Sequence, residues 1–274
     1  MKVAAAQIAC QAGDIQTNLA QHLALIEQAR RARVDLVVFP ELSLTGYQSD
    51  PDIASLARLA GCEELRGLAE AAGPMRASIG FIERGEDGRV YNAQALIGDG
   101  PTQVHRKINL PSYGNLRETR YYQRGSVIAP VRLDPDWRAA TLICADSWNP
   151  ALPWLAALDG ATILLLPIAS ALSAVEGFDN PAGWDLNLRH TALTYGLPIV
   201  MANHCGGNLD FWGGSRILDA FGRECARADA TTGLIVADLS PPDGITARRR
   251  LPTMRDANPH LVHRMLGRAL GEPE

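Results

Sequence analysis

A chain of 274 residues, 47% apolar and 20% charged, has the size and composition of one soluble α/β domain and can bury a substantial core. Its net charge of −4 argues against any general attraction to nucleic acid or anionic membrane. No stretch approaches the roughly 18 uncharged apolar residues that a membrane span requires, so the expectation is a single cytoplasmic domain over 1–274 with no nucleic-acid or membrane partner.

Met1 to Gln7 has one early positive charge and a short apolar run, interrupted by Gln7, Gln11 and Asp14; this reads as the edge of a fold, not a signal peptide. Val3 to Ala9 reads as a buried strand. Asn18 to Arg33 places Leu19, Leu23 and Ile26 at helical spacing. Val34 to Phe39 is a β-branched, apolar strand that stops at Pro40. Pro51 to Ala72, rich in alanine and leucine, reads as one or two helices. Ser78 to Glu83 and Val90 to Ile97 form a hairpin around Asp87-Gly88. Thr102 to Arg106 adds a strand. Residues 108–125 lack periodicity and carry Pro111, Gly114 and Gly125, the mark of a long functional loop. Ala139 to Cys144 is a strand, Ala151 to Leu158 a helix, and Ala161 to Leu166 a wholly apolar strand. Trp184 to Tyr195 is a helix ended by Gly196 and Pro198. Strands follow at Ile199 to Ala202, Ser215 to Leu218 and Leu234 to Leu239, with Phe221-Gly222 as a hairpin turn. The tail from Arg248 to Leu270 is polar and partly helical. Hairpins mixed with crossovers predict stacked layers around mixed sheets rather than a parallel barrel.

The five cysteines, Cys10, Cys62, Cys144, Cys205 and Cys225, are far apart, odd in number and form no Cys-x-x-Cys pair. They suggest neither a disulfide framework nor a zinc site. Three reactive residues directly follow apolar or strand-like runs: Glu41, Lys107 and Cys144. Strand ends open into the crevice where α/β sheets bind ligands. Amide cleavage needs a nucleophile, a base for its proton and a positive group for the oxyanion, and these three residues supply all of them without a metal. A lysine charge beside the thiol is expected to lower its pKa. His204 and Cys205 are adjacent on a strand and point to opposite faces, so both read as structural. Asp146 reads as a structural ion-pair or capping group.

The residues around these positions resemble a known family. Phe39-Pro40-Glu41-Leu42-Ser43-Leu44-Thr45-Gly46-Tyr47 resembles the glutamate motif of the nitrilase, or carbon–nitrogen hydrolase, superfamily. Arg106-Lys107-Ile108-Asn109-Leu110-Pro111-Ser112-Tyr113-Gly114 resembles its lysine motif, and Leu142 to Pro150 its cysteine motif. The resemblance implies a four-layer α-β-β-α sandwich, no cofactor and no metal, and a homodimer or larger homo-oligomer. It implies Cys144 as nucleophile, Glu41 as general base, and Lys107 with the Ala145 backbone N–H as oxyanion donors. Glu118 would orient Lys107 or the substrate, and Tyr47, Tyr113, Trp148 and Ser170 would contact the substrate.

Cys144-Ala145-Asp146-Ser147-Trp148 and Cys205 to Ser215 are most similar to the glutaminase domain of glutamine-dependent NAD synthetase. Yet Ile168-Ala169-Ser170-Ala171-Leu172 and Glu176 to Asn180 depart from its Ser-Ala-Ser-Pro and Gly-Lys stretches, which help to hold glutamine. Phe178, Trp184 and Trp212 suggest a more apolar pocket. With no ATP-pyrophosphatase domain in the 274 residues, the expected activity is stand-alone hydrolysis of a small amide through a cysteine thioester. The alternatives are a glutaminase subunit feeding ammonia to a separate synthetase, or a nitrilase. Cys144-Ala145-Asp146 in place of the Cys-Trp-Glu of true nitrilases argues against the last.

Overall fold

A computed structural model of the chain describes residues 1–48, 50–172, 174–207 and 209–271. The first half holds β1 (Lys2–Gln7), α1 (Ile15–Arg31), β2 (Leu36–Val38), α2 (Ile53–Leu56), α3 (Glu63–Ala72), β3 (Arg76–Arg84), β4 (Val90–Ile97) and β5 (Gln103–Arg106). The second holds β6 (Val131–Arg132), β7 (Arg138–Thr141), α4 (Ala151–Leu158), β8 (Ile163–Pro167), α5 (Asn180–Tyr195), β9 (Ile199–Ala202), β10 (Cys205–Gly206), β11 (Phe211–Trp212), β12 (Arg216–Leu218) and β13 (Glu224–Arg227). The chain then returns as β14 (Gly233–Asp238) and continues through α6 (Pro241–Arg250), α7 (Thr253–Asp256) and α8 (Pro259–Leu270).

Two six-stranded sheets result, ordered β14-β1-β2-β3-β4-β5 and β13-β12-β9-β8-β7-β6. Each has three parallel strands at its centre, β1-β2-β3 in one and β7-β8-β9 in the other, with antiparallel strands outside. Strand alternation sorts the core into layers. Val3 and Ala5 of β1, with Ile163 and Leu165 of β8, fill the space between the sheets. Ala4 and Ala6 turn the other way, onto Leu25, Ile26 and Ala29 of α1 and Leu65 and Leu68 of α3. Leu164 and Leu166 likewise pack on Leu152 and Ala156 of α4 and Trp184, Leu188 and Ala192 of α5. The order is therefore α-β-β-α. Central strands buried on both faces explain why these segments read as unbroken apolar runs.

Several boundaries differ from the sequence reading, each for a local reason. The helix expected from Trp184 begins at Asn180, because Asp179 caps it and a proline occupies its first turn. The strand expected to reach Cys144 stops at Thr141, and Cys144 opens a 3-10 turn. The 108–125 loop is irregular except for a 3-10 turn at Glu118–Arg120. The helical tail read from Arg248 begins earlier, at Pro241, because proline is tolerated in a first helical turn.

Gly80 in β3 runs directly beneath the turn that follows β2: a Cβ there would overlap the Leu42 nitrogen and the Pro40 carbonyl. Gly67, inside α3, has nothing within 4 Å of the same construction. We expect Gly80→Ala to lower unfolding stability by about 1–3 kcal/mol through overpacking. Gly67→Ala should raise it by about 0.5–1 kcal/mol, as for any unobstructed helical glycine. Urea denaturation of both variants checks the pair, and similar midpoints for the two would contradict this close approach.

Candidate active site

Glu41 owes its place to the end of β2. Pro40 lacks an N–H, so the ladder stops and the chain turns, with Ser43 N–H donating to Pro40 (3.2 Å) and Gly46 N–H to Leu42 (2.7 Å). Leu42 takes a left-handed φ of 51°, an uncommon conformation for a leucine. The turn is held to β3 by Leu44 N–H donating to Gly80 O at 2.8 Å and by Gly80 N–H donating to Ser43 Oγ at 3.1 Å. Glu41 is completely buried. Its Oε1 accepts from Asn92 Nδ2 at 2.7 Å and from Lys107 Nζ at 2.6 Å. Its Oε2 is buried with no hydrogen-bond partner among the described residues.

Lys107 follows β5 directly, with its N–H on Asn92 O (2.8 Å) and its carbonyl accepting from Gly125 N–H (2.7 Å). It too is completely buried. Its ammonium also donates to Glu118 Oε1 at 2.8 Å, and that oxygen accepts from Tyr47 Oη at 3.0 Å. Burial alone would push Lys107 toward neutrality, but the Glu118 and Glu41 charges outweigh it and hold its pKa well above the ordinary lysine value. Two of its three N–H bonds are thereby engaged, leaving one for a third acceptor. Glu118 is raised from 4.5 to about 7, first by burial and then by the Glu41 charge, with Lys107 opposing. Arg117, an alternative partner for Glu118, donates instead to the Gly114 and Leu116 carbonyls.

Cys144 sits beyond the end of β7 with φ of 46°, at the start of a 3-10 turn reaching Trp148. Asp146 fixes this turn. Its Oδ2 accepts from Ile143 N–H (3.0 Å), and its Oδ1 accepts from Ile108 N–H (3.0 Å) and Asn109 N–H (2.7 Å). One carboxylate thus ties the cysteine turn to the residue after Lys107, the structural role read for it from sequence. Lys107 pulls the Cys144 thiol down as expected, but the net shift is upward. Burial and then the Glu41 charge push it well above its ordinary value, while Lys107 and the Ala169 N–H pull the other way and lose. The balance favours the neutral thiol.

Glu41, Cys144 and Glu118 line one small cavity of about 50 Å³, closed by aromatic side chains. Tyr47, Tyr113, Trp148 and Ser170 all reach it, as the resemblance implied. Trp184 lines it as well, donating Nε1–H to Ser170 Oγ at 3.0 Å, and the Trp148 ring packs on Trp184 at 5.1 Å and on Phe178 at 6.0 Å. Trp212 does not line it; it packs against the core between the second sheet and its helices. Asn208, within the Gly-Gly stretch read from sequence, lies outside the described residues. Two larger grooves, of about 460 and 1000 Å³, contain neither Glu41 nor Cys144. Asn92 was missed in the sequence, although its signal was present: Asn92 and Gln94 are buried amides in the otherwise apolar β4.

The raised Glu118 pKa carries a sign. The folded state binds this proton more tightly than the unfolded chain, so the resulting stabilisation is full below pH 4.5 and is lost as pH rises through about 7. Relative to wild type, Glu118→Gln should therefore gain stability as pH rises across that window. Denaturation midpoints measured through it check this, and parallel curves for the two proteins would contradict it.

Comparison with known proteins adds the following. The carbon–nitrogen hydrolase family model matches residues 2–249. The glutamine-dependent NAD(+) synthetase of Thermotoga maritima is 32% identical over 228 residues, covering 81% of this chain and 39% of that protein. The chain thus spans less than half the length of that relative. The human deaminated glutathione amidase is 27% identical over 265 residues, 90% of this chain and 80% of its own. The crystal structure of a carbon–nitrogen hydrolase from Helicobacter pylori superimposes with a TM-score of 0.87 at 23% identity, covering 97% of this chain and 98% of that one. That likeness bears on the fold.

Proposed function

The chain belongs to the carbon–nitrogen hydrolase family and is an amidase-type enzyme, and from that premise we propose that it cleaves a small amide through a Cys144 thioester. The observation that carries this reading is the division of labour on Glu41. Lys107 and Asn92 bind Oε1, Oε2 has no partner among the described residues, and Glu41 lines the same cavity as Cys144.

In this mechanism Glu41 Oε2 takes the thiol proton as Cys144 Sγ attacks the amide carbon. The proton moves during attack, because the thiol is neutral at rest. Negative charge develops on the amide oxygen, which accepts from the remaining Lys107 N–H and the Ala145 backbone N–H. Such a donor is worth about 3 kcal/mol of barrier. Collapse breaks the C–N bond, and protonated Glu41 returns its proton to the departing nitrogen, releasing ammonia or an amine. Water then gives its proton to Glu41 as it attacks the thioester. The second tetrahedral species expels the sulfur, which takes its proton back from Glu41, and frees a carboxylic acid. Glu118 and Tyr47 keep Lys107 aimed at the oxyanion.

The cavity favours an uncharged acyl group. No lysine or arginine is among its described lining residues, and Lys107, buried behind Glu41 and Glu118, is already paired with both of those carboxylates. The stretch 168–180 contains no lysine or arginine, so the carboxylate of glutamine would meet no counter-charge there. This separates the stand-alone amidase from the glutaminase-subunit reading that the synthetase relatives suggest.

The test is ammonia release from acetamide, propionamide and L-glutamine, with intact-protein mass spectrometry to catch the acyl-enzyme. We expect turnover of the neutral amides, an acyl adduct on Cys144, and no activity in Cys144→Ala. Glu41→Gln should lose about 10²–10⁴-fold in rate, the usual contribution of a general base. Activity retained in Cys144→Ala would refute the thioester, and preference for L-glutamine would refute the neutral acyl group.

A further inference from the structure

We propose that His204 is a positioning residue that holds the Glu41 main chain in register with Cys144. The inference rests on the reading of Glu41 as the base. It assigns work to a side chain that the sequence reads as structural.

Glu41 and Cys144 are carried by different sheets. The side-chain anchors of Glu41, Asn92 on β4 and Lys107 after β5, both belong to the Glu41 sheet. Asp146 ties the Lys107 loop to the cysteine turn. His204 makes the corresponding tie for Glu41. It lies just beyond β9, in the sheet that carries Cys144, and its Nε2 is 2.7 Å from the Glu41 carbonyl oxygen, 163 residues away in sequence. A carbonyl only accepts, so the proton is on Nε2 and Nδ1 is bare. Nδ1 is buried and has no partner among the described residues. The Glu41 carbonyl is therefore the hydrogen-bond acceptor this imidazole serves, with the Ile8 backbone also close enough to act on the ring. Burial lowers its pKa to about 4, so the ring stays neutral and the contact constant at neutral pH.

The ring is itself firmly seated. It packs on Phe211 with centroids 4.9 Å apart. Its backbone bridges to Ile8, Cys205 N–H donates to Ile8 O at 3.0 Å, and Gly213 N–H donates to His204 O at 3.0 Å. The preceding residue completes the arrangement. Asn203 Oδ1 accepts from Ser170 N–H at 3.0 Å, and its Nδ2 donates to Ser170 O at 3.2 Å. Ser170 follows Ala169, whose N–H acts on the Cys144 thiol. Successive residues thus grip the two halves of the site, Asn203 the segment behind the nucleophile and His204 the turn that carries the base. Adjacent side chains pointing oppositely, which excludes a His204–Cys205 pair, is what lets this pair serve both halves.

The experiment compares wild type, Glu41→Gln, His204→Leu, His204→Gln and His204→Asn. Each is checked for folding by circular dichroism. Two readouts follow at neutral pH: kcat and KM on the best amide, and the rate of Cys144 alkylation by iodoacetamide, followed by peptide mass. We expect His204→Leu to lose about 10-fold or more in both kcat and alkylation rate, with KM little changed, since misplacing a reacting group by about 1 Å costs on the order of 10²-fold. His204→Gln, whose amide can reach the same carbonyl, should recover most of the loss, and the shorter His204→Asn should not. If His204→Leu does not fold, the Gln–Asn difference decides, and equal rates for those two overturn the proposal. Wild-type rates in His204→Leu overturn it as well. If Glu41→Gln turns over the amide like wild type, the assignment of Glu41 as base fails; if Glu41→Gln is slow in turnover and His204→Leu is not, only the role of His204 fails.

Discussion

The site depends on one buried ion cluster: the Lys107 ammonium held between Glu41 at 2.6 Å and Glu118 at 2.8 Å. A lone ammonium with no access to water costs several kcal/mol to bury, and so does a lone carboxylate. Together, with further hydrogen bonds from Asn92 and Tyr47, they satisfy most of one another's needs. The cluster is incomplete in a useful way. Among the described residues one oxygen of Glu41 and one of Glu118 have no partner, and the Lys107 ammonium has one N–H beyond its two carboxylate bonds; the proposed mechanism uses that N–H and Glu41 Oε2. Two carboxylates around one cation also leave excess negative charge beside Cys144. Burial first, and then the Glu41 charge, push the Cys144 thiol well above its ordinary value, which favours the neutral thiol.

The fold delivers these groups by repeating one device. In each case a strand ends and the segment after it carries the reactive residue, although only β2 is wholly buried and β5 is a polar edge strand. Glu41 lies beyond β2 and Pro40, Lys107 beyond β5, and Cys144 beyond β7 in a positive-φ turn. Cross-links between carriers then set the distances. Asp146 joins the lysine and cysteine turns, Gly80 lets β3 pass close under the glutamate turn, and the Asn203–His204 pair reaches from β9 to both sides. A cavity of about 50 Å³, walled by Trp148, Trp184 and Tyr47, completes the site.

Much of this was legible in the sequence. The unbroken apolar runs marked the buried central strands, Asp87-Gly88 marked the hairpin, and reactive residues at strand ends marked the crevice. What was not legible depends on tertiary contact. The two-residue strands β6, β10 and β11 exist only because a neighbour pairs with them. Trp212 and Trp184 have the same sequence-level appeal, yet only Trp184 faces the cavity, because Asn180–Tyr195 lies across its wall and Trp212 faces the core. The effect of lysine on the thiol had the expected sign but the wrong weight, since burial and the Glu41 charge are not readable from spacing. His204 touches Glu41 across 163 residues, a relation that no local pattern encodes.

The most direct test of the account is the ionisation of Cys144 itself. Ultraviolet thiolate absorbance, titrated in wild type and in Cys144→Ala and taken as the difference, isolates this thiol from the other four cysteines. The account predicts no Cys144 thiolate until well above pH 9.0, because burial and the Glu41 charge outweigh Lys107. A thiolate already formed at neutral pH would show that Lys107 governs the nucleophile, and would contradict proton transfer to Glu41 during attack.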